Sequence, residues 1–135
     1  MNPRYPRVAQ RAAHLCEYCH APESIFNFPF EVEHIIPPNR GGSDDETNWA
    51  LACRSCNLHK AHHLDGADAE TGVVAKLFHP RQDRWEEHFR IDAATTSILG
   101  RTPVGRATVE RLRLNRASQL AARRQWMRLG LFPPA

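Results

Sequence analysis

The chain has 135 residues, 41% of them hydrophobic, and 18 Lys and Arg against 15 Asp and Glu give a net charge of +3. That length supports one compact domain, or a small stapled core with an extension, and argues against two independent domains. No stretch approaches the roughly 20 apolar residues of a membrane span, and the N-terminus carries charge without the apolar run of a secretory signal, so a cytoplasmic chain with no membrane partner is expected.

Near the start, Pro6 followed by Val8, Ala12 and Leu15 has helical spacing, which predicts a short helix delivering Cys16. All four cysteines fall into two C-x-x-C pairs, Cys16/Cys19 and Cys53/Cys56. Two thiolates from each pair reach one tetrahedral ion, so the expected site is a closed, structural Zn²⁺. The alternatives are two disulfides, which would need an oxidising compartment that the missing signal argues against, or four buried free thiols. The gap from Cys19 to Cys53 far exceeds the roughly 15 to 20 residues of a zinc ribbon, so a folded insert must leave the first knuckle and return to the second.

Within that insert, Phe30-Glu31-Val32-Glu33-His34-Ile35-Ile36 alternates with period two and is stopped by Pro37-Pro38, which predicts a strand. Neighbours on a strand point to opposite faces, so Glu33 and His34 can share one site only if the strand end bends. Residues 39–45 are a loop by composition, Thr47 to Ala52 a second short strand, and Arg54 to about His63 a helix free of Gly and Pro. On that helix Lys60 lies three residues after Asn57 and shares its face, whereas His59 is about 200° away. His59, His62 and His63 read as surface residues, and His14 and His20 receive no role.

Downstream, Asp65-Gly66-Ala67-Asp68 reads as a turn-like linker, and Leu77, Phe78, Trp85 and Phe89 as core anchors rather than base-stacking platforms. A hairpin from Phe89 to Leu99 is expected. Thr102-Pro103 has the form of N-cap and first helical residue, opening a helix through Arg113, and a second helix runs from Ser118 to Leu129 before Gly130. From residue 101 onward eight arginines, joined upstream by Arg90, face a single acid, Glu110. Arg106, Arg113, Arg116, Arg123 and Arg124 form a candidate phosphate-binding surface, since such a patch suits a polyanion. The plain alternative is that these arginines solvate helices whose apolar side packs on the core.

The ordered set Glu33-His34-Ile35-Ile36-Pro37, Gly41-Gly42, Asn48, Leu51-Ala52-Cys53-Arg54-Ser55-Cys56-Asn57 and Lys60 resembles the HNH endonuclease signature in its four-cysteine zinc variety, over about residues 13 to 61. The resemblance implies the ββα-metal fold, with His34 as general base, Glu33 and Asn57 as ligands of a catalytic divalent metal, and Asn48 orienting the base. Asn57 thereby counts among both the catalytic and the metal-binding residues. In the family Asp or His is commoner at the position of Glu33, and His as well as Asn is found at that of Asn57.

The chemistry asks for these residue types in its own right. Phosphodiester hydrolysis needs a group to take a proton from water, and histidine is the side chain that changes charge near neutral pH. It also needs neutralisation of charge at phosphorus, and the hard oxygens of Glu33 and Asn57 favour Mg²⁺ or Mn²⁺ over a second zinc. An amide oxygen from Asn48 on the other ring nitrogen of His34 would fix its tautomer, and Lys60 is a candidate phosphate contact.

The expected architecture is therefore α+β: a zinc-stapled ββα-metal core over residues 1–64, with a basic helical and hairpin extension over 65–135 packing on it. The expected activity is hydrolysis of DNA by a metal-dependent endonuclease, which would be a homodimer if it cuts both strands. Two alternatives stand beside it: a non-catalytic zinc-knuckle module that binds nucleic acid, and an HNH nuclease acting on RNA.

Overall fold

The computed structural model describes residues 2–135. Its first helix, α1, spans Tyr5–Arg11 with Pro6 in the first turn. It stops short of Cys16, because Ala13 and His14 take left-handed backbone angles, φ 53° and 58°, that reverse the chain. Leu15 then bridges Pro22 in antiparallel fashion and closes the first knuckle. The helix thus delivers the cysteine through a left-handed turn and not directly.

The insert is a hairpin followed by a helix. Strand β1, Glu31–His34, pairs antiparallel with β2, Trp49–Ala52, setting Glu33 opposite Ala50 and His34 opposite Trp49. Between them run two single-turn 3₁₀ segments, Pro38–Arg40 and Glu46–Asn48. Both glycines of this connection are needed for stated reasons. Gly41 ends the first turn at φ 91°, a region open chiefly to glycine, and any Cβ on Gly42 would overlap the Ile36 carbonyl. Helix α2, Arg54–Lys60, follows β2 after a single residue, Cys53, whose sulfur accepts from the Cys56 N–H and caps the helix.

The remainder folds around the same core. Asp65–Ala67, read from composition as a linker, is instead strand β3, paired with β4, Val74–Lys76. The signal was missed because Gly66 has no β propensity of its own. It sits there because a side chain would press against the later helix that carries Ala107, 3.1 Å from the Ala107 carbonyl. A one-turn helix α3, Trp85–His88, leads into the expected hairpin, β5 (Phe89–Ile91) with β6 (Ile98–Gly100). Helix α4, Pro103–Arg111, is capped by the Thr102 hydroxyl accepting from Gly105 N–H, and packs on β3, β4 and β6. Helix α5, Ala117–Arg128, is the last element.

One hydrophobic cluster joins the knuckles to the downstream elements, with Tyr18, Leu51, Phe78, Phe89, Ile98 and Leu112 among its buried members. One polar tie fixes that contact, and a second holds the downstream elements to one another. Trp85 Nε1 donates to the Tyr18 carbonyl at 2.9 Å, and Phe78 N–H donates to Thr108 Oγ1 at 2.9 Å. No helix among the described residues is long and apolar enough to cross a membrane.

Candidate active site

The two knuckles meet because strand β2 is bonded to the first of them. Leu51 accepts from Glu17 N–H at 2.9 Å and donates its own N–H to Glu17 Oε2 at 2.8 Å. Arg81 forms an ion pair with the other oxygen of that carboxylate. Cys16–Cys19 is thereby held against the end of β2, where Cys53 begins α2. The four sulfurs lie within 4.8 Å of one another, all buried and none disulfide-bonded. A tetrahedral zinc with sulfurs at about 2.3 Å has edges of about 3.8 Å, and Cys19 Sγ to Cys53 Sγ is 3.8 Å. The cluster is compatible with zinc, and its burial inside the core matches a closed structural site.

Glu33 and His34 leave β1 on opposite faces, with no bend between them. Glu33 is buried and faces α2, where Lys60 Nζ stands 3.3 Å from Oε2; the other oxygen accepts from the Tyr18 hydroxyl. Burial pushes the Glu33 carboxyl up, against the opposing pull of Lys60 and Tyr18. Lys60 is itself 1% exposed and also donates to the Ile35 carbonyl at 2.6 Å. Its expected contact with phosphate is thus replaced by an internal one, because the lysine is the counter-ion of a buried carboxylate.

These contacts bear on a second metal. Glu33 and Asn57 are hard-oxygen donors of the right chemistry, but the Glu33 carboxylate is already met by an ammonium group and a hydroxyl. Among the described residues, the cysteine cluster is the single place where three or more His, Cys, Asp or Glu ligand atoms converge. A divalent ion held by Glu33 and Asn57 would need Lys60 to give up its place beside that carboxylate.

On the other face, half-exposed His34 places Nε2 2.9 Å from Asp44 Oδ1, and the second oxygen of Asp44 accepts from Arg4 Nη2 at 2.7 Å. The Arg4 bond first, and the His34 bond second, hold the Asp44 carboxyl below its ordinary range. Asn48 does not touch the His34 ring. Its Oδ1 accepts from Ile36 N–H at 2.9 Å, while Nδ2 donates to the carbonyls of Ile36 and Ser43, each at 2.8 Å. The expected amide-to-imidazole bond is thus replaced by three backbone bonds, which clamp both ends of the loop that carries Asp44. The sequence could show an Asn in the right order but not which groups its amide would find.

With the hairpin, the helix and the cysteine cluster in place, the family model described as HNH endonuclease is found to match residues 16–63. The chain carries an HNH domain. No curated protein and no solved structure matches it. The HNH domain covers the cysteine knuckles, β1, β2 and α2 and ends before β3, so the elements that follow are outside the matched segment.

The arginines expected to grip phosphate divide in two. Arg106 makes a two-pronged bond to Asp68, Nε to Oδ1 at 2.8 Å and Nη2 to Oδ2 at 3.1 Å, which depresses the Asp68 carboxyl well below its usual range. Arg123 is 1% exposed: it donates to the carbonyls of Thr96 and Leu114 and to Asn115 Oδ1, tying α5 to the β5–β6 turn and the α4–α5 connection. These two are internal struts, since hydrogen-bond partners of fixed geometry use their donors. Arg113, Arg116 and Arg124 remain exposed, and Arg116 Nη2 lies 3.4 Å from Ser55 Oγ on α2 of the HNH domain.

Two participants in the site were not singled out from the sequence, Asp44 and Tyr18. Asp44 comes ten residues after His34, and only the folded loop brings it back. Tyr18 lies inside a C-x-x-C pair, where the cysteines draw all the attention; its signal would have been a hydroxyl in a stretch otherwise destined for the core.

Proposed function

We propose that the protein is an endonuclease that hydrolyses phosphodiester bonds in DNA, with His34 as the base. The observation that supports this best is the position of His34: at the end of β1 where the hairpin runs into its connecting loop, half-exposed, with Nε2 engaged by Asp44 and no hydrogen bond at Nδ1 among the described residues. Nδ1 takes a proton from a water molecule as that oxygen bonds to phosphorus. The bond from phosphorus to the leaving sugar oxygen breaks, and that oxygen takes a proton from solvent.

The reading includes Mg²⁺ or Mn²⁺, with Glu33 and Asn57 as its donors, and requires Lys60 to leave Glu33 when the ion binds. Such an ion would neutralise charge gathering on the phosphate oxygens. The exposed Arg113, Arg116 and Arg124 contribute phosphate contacts, with Arg116 nearest the HNH helix. On this reading residues 1–64 are the nuclease core and 65–135 a basic extension, and double-strand cleavage calls for a dimer because one such site cuts one strand.

One observation favours a second reading, a zinc-knuckle module that binds nucleic acid without turnover: the Glu33 carboxylate is occupied by Lys60 and Tyr18. The deciding experiment incubates the purified protein with supercoiled plasmid, linear duplex, single-stranded DNA and RNA over a series of Mg²⁺ and Mn²⁺ concentrations. Cleavage of DNA that falls roughly 10²-fold or more in His34→Ala, with binding unchanged within a few-fold, supports the proposal. Binding without cleavage under every metal condition favours the non-catalytic module, and a wild-type rate in His34→Ala overturns the role of the histidine.

A further inference from the structure

We propose that Asp44 is a positioning residue for His34, fixing the imidazole as its Nε2–H tautomer so that Nδ1 carries the lone pair. The inference rests on the reading of His34 as the base. It is carried by a closed circuit of contacts. Asp44 Oδ1 lies 2.9 Å from His34 Nε2, and Oδ2 accepts from Arg4 at 2.7 Å. The Arg4 guanidinium rests 4.2 Å over the Trp49 ring, and Trp49 stands opposite His34 in the hairpin register. The loop between them is held at its base by the three Asn48 bonds and by Gly42 packed against the Ile36 carbonyl.

A neutral imidazole has one N–H and one lone pair, and which nitrogen holds which is set by the partner. An ionised carboxylate accepts only. With Arg4 holding Asp44 in its charged form, the nitrogen facing it must be the donor, and the other nitrogen is left as the acceptor. The same carboxylate stabilises the imidazolium formed when Nδ1 takes a proton. Arg4 in turn orients Asp44, so three side chains from the N-terminal segment, the loop and β1 define one geometry. The amide that sequence order suggests for this task, Asn48, acts on the backbone beneath instead.

The test compares wild type, Asp44→Asn, Asp44→Glu and His34→Ala as full-length, zinc-loaded protein. Asp44 is exposed, so none of its variants is expected to change zinc content or melting. Long-range ¹H–¹⁵N spectra of the imidazole nitrogens in magnesium-free buffer at alkaline pH read the tautomer without any reference to turnover. The expected result is a single Nε2–H form of His34 in wild type and Asp44→Glu, and a mixture of both tautomers in Asp44→Asn, whose amide can donate as well as accept. Plasmid cleavage by Asp44→Asn is expected to fall roughly 10- to 100-fold in kcat, with KM within a few-fold, the size usual for loss of a group that orients a functional histidine. Asp44→Glu should restore part of the rate.

A wild-type tautomer and wild-type kcat in Asp44→Asn, with His34→Ala inactive, would overturn the inference and leave the nuclease reading standing. A wild-type rate in His34→Ala would overturn both.

Discussion

Replacing Lys60 by Met tests the interior half of the HNH domain, because it removes a cation and leaves the volume nearly unchanged. In the wild type, Lys60 Nζ lies 3.3 Å from Glu33 Oε2 and 2.6 Å from the Ile35 carbonyl, with both side chains nearly shielded from water. Without it the Glu33 carboxylate keeps only the Tyr18 hydroxyl, and a carboxylate stripped of its counter-ion in the interior costs about 3–5 kcal/mol. Glu33 can limit that cost by taking up a proton. Each pH unit above the carboxyl's unfolded value near 4.3 then costs about 1.4 kcal/mol, so the loss is capped near 4 kcal/mol at pH 7 and below 2 kcal/mol at pH 5.5.

The sign of this pH dependence follows from the direction of the shift. A carboxyl whose folded value is raised favours folding through its protonated form, below the unfolded value, and that contribution is lost as pH rises. Burial already pushes Glu33 upward in the wild type, and Lys60→Met pushes it further. The gap in unfolding free energy between wild type and variant must therefore widen from pH 5.5 to 7. Urea denaturation with zinc present, run on both proteins at both pH values, measures it. Adding Glu33→Gln to Lys60→Met should recover most of the loss at pH 7. A loss that is equal at the two pH values, or a double variant no more stable than the single one, would refute the buried ion pair.

Cys53→Ser removes one of four convergent sulfurs while leaving a hydroxyl able to cap α2, so zinc content should drop and the HNH domain should unfold or melt well below wild type through loss of the metal, as elemental analysis and thermal denaturation would show. Arg123→Met strands the carbonyls of Thr96 and Leu114 and should cost about 2–4 kcal/mol in urea denaturation, whereas Arg124→Gln at an exposed position should stay within about 0.5 kcal/mol. If Arg124 and Arg116 meet phosphate, replacing both by Gln should weaken DNA binding regardless of sequence and reduce the salt slope by about one unit per contact, as binding isotherms at several salt concentrations would reveal.

Much of the HNH domain was legible because its elements announce themselves locally. The period-two run before Pro37-Pro38 yields β1, though it is shorter than read, since pairing with β2 ends at His34. Helix α2 begins where the Cys53 knuckle caps it but ends at Lys60, because Ala61 takes φ 47° and breaks the run that composition alone would carry to His63. The Thr102 cap set the start of α4 correctly. Strand β3 was not legible, because the Gly of an Asp-Gly-Ala-Asp stretch that reads as a turn has meaning as a strand residue only once α4 lies against it.

The site was legible in its residues and not in its pairings, and the reason is physical. An ordered motif states which side chains exist, while a carboxylate, an ammonium group or an amide bonds to whatever the fold brings within about 3 Å. Lys60 and Arg123 look like phosphate ligands in a sequence, since each is a cation on a helix in a basic region. Their difference from exposed Arg124 is decided by which side of the helix meets the core, and α5 carries too few apolar residues on one side to declare it. The strand is more informative. Its strict alternation forces Glu33 inward and His34 outward, so the imidazole and the buried ion pair are separated by one backbone layer. Any cation drawn to Glu33 must then displace Lys60 from the interior side, while the contacts of His34 lie on the opposite one, with Asp44 and, through it, Arg4.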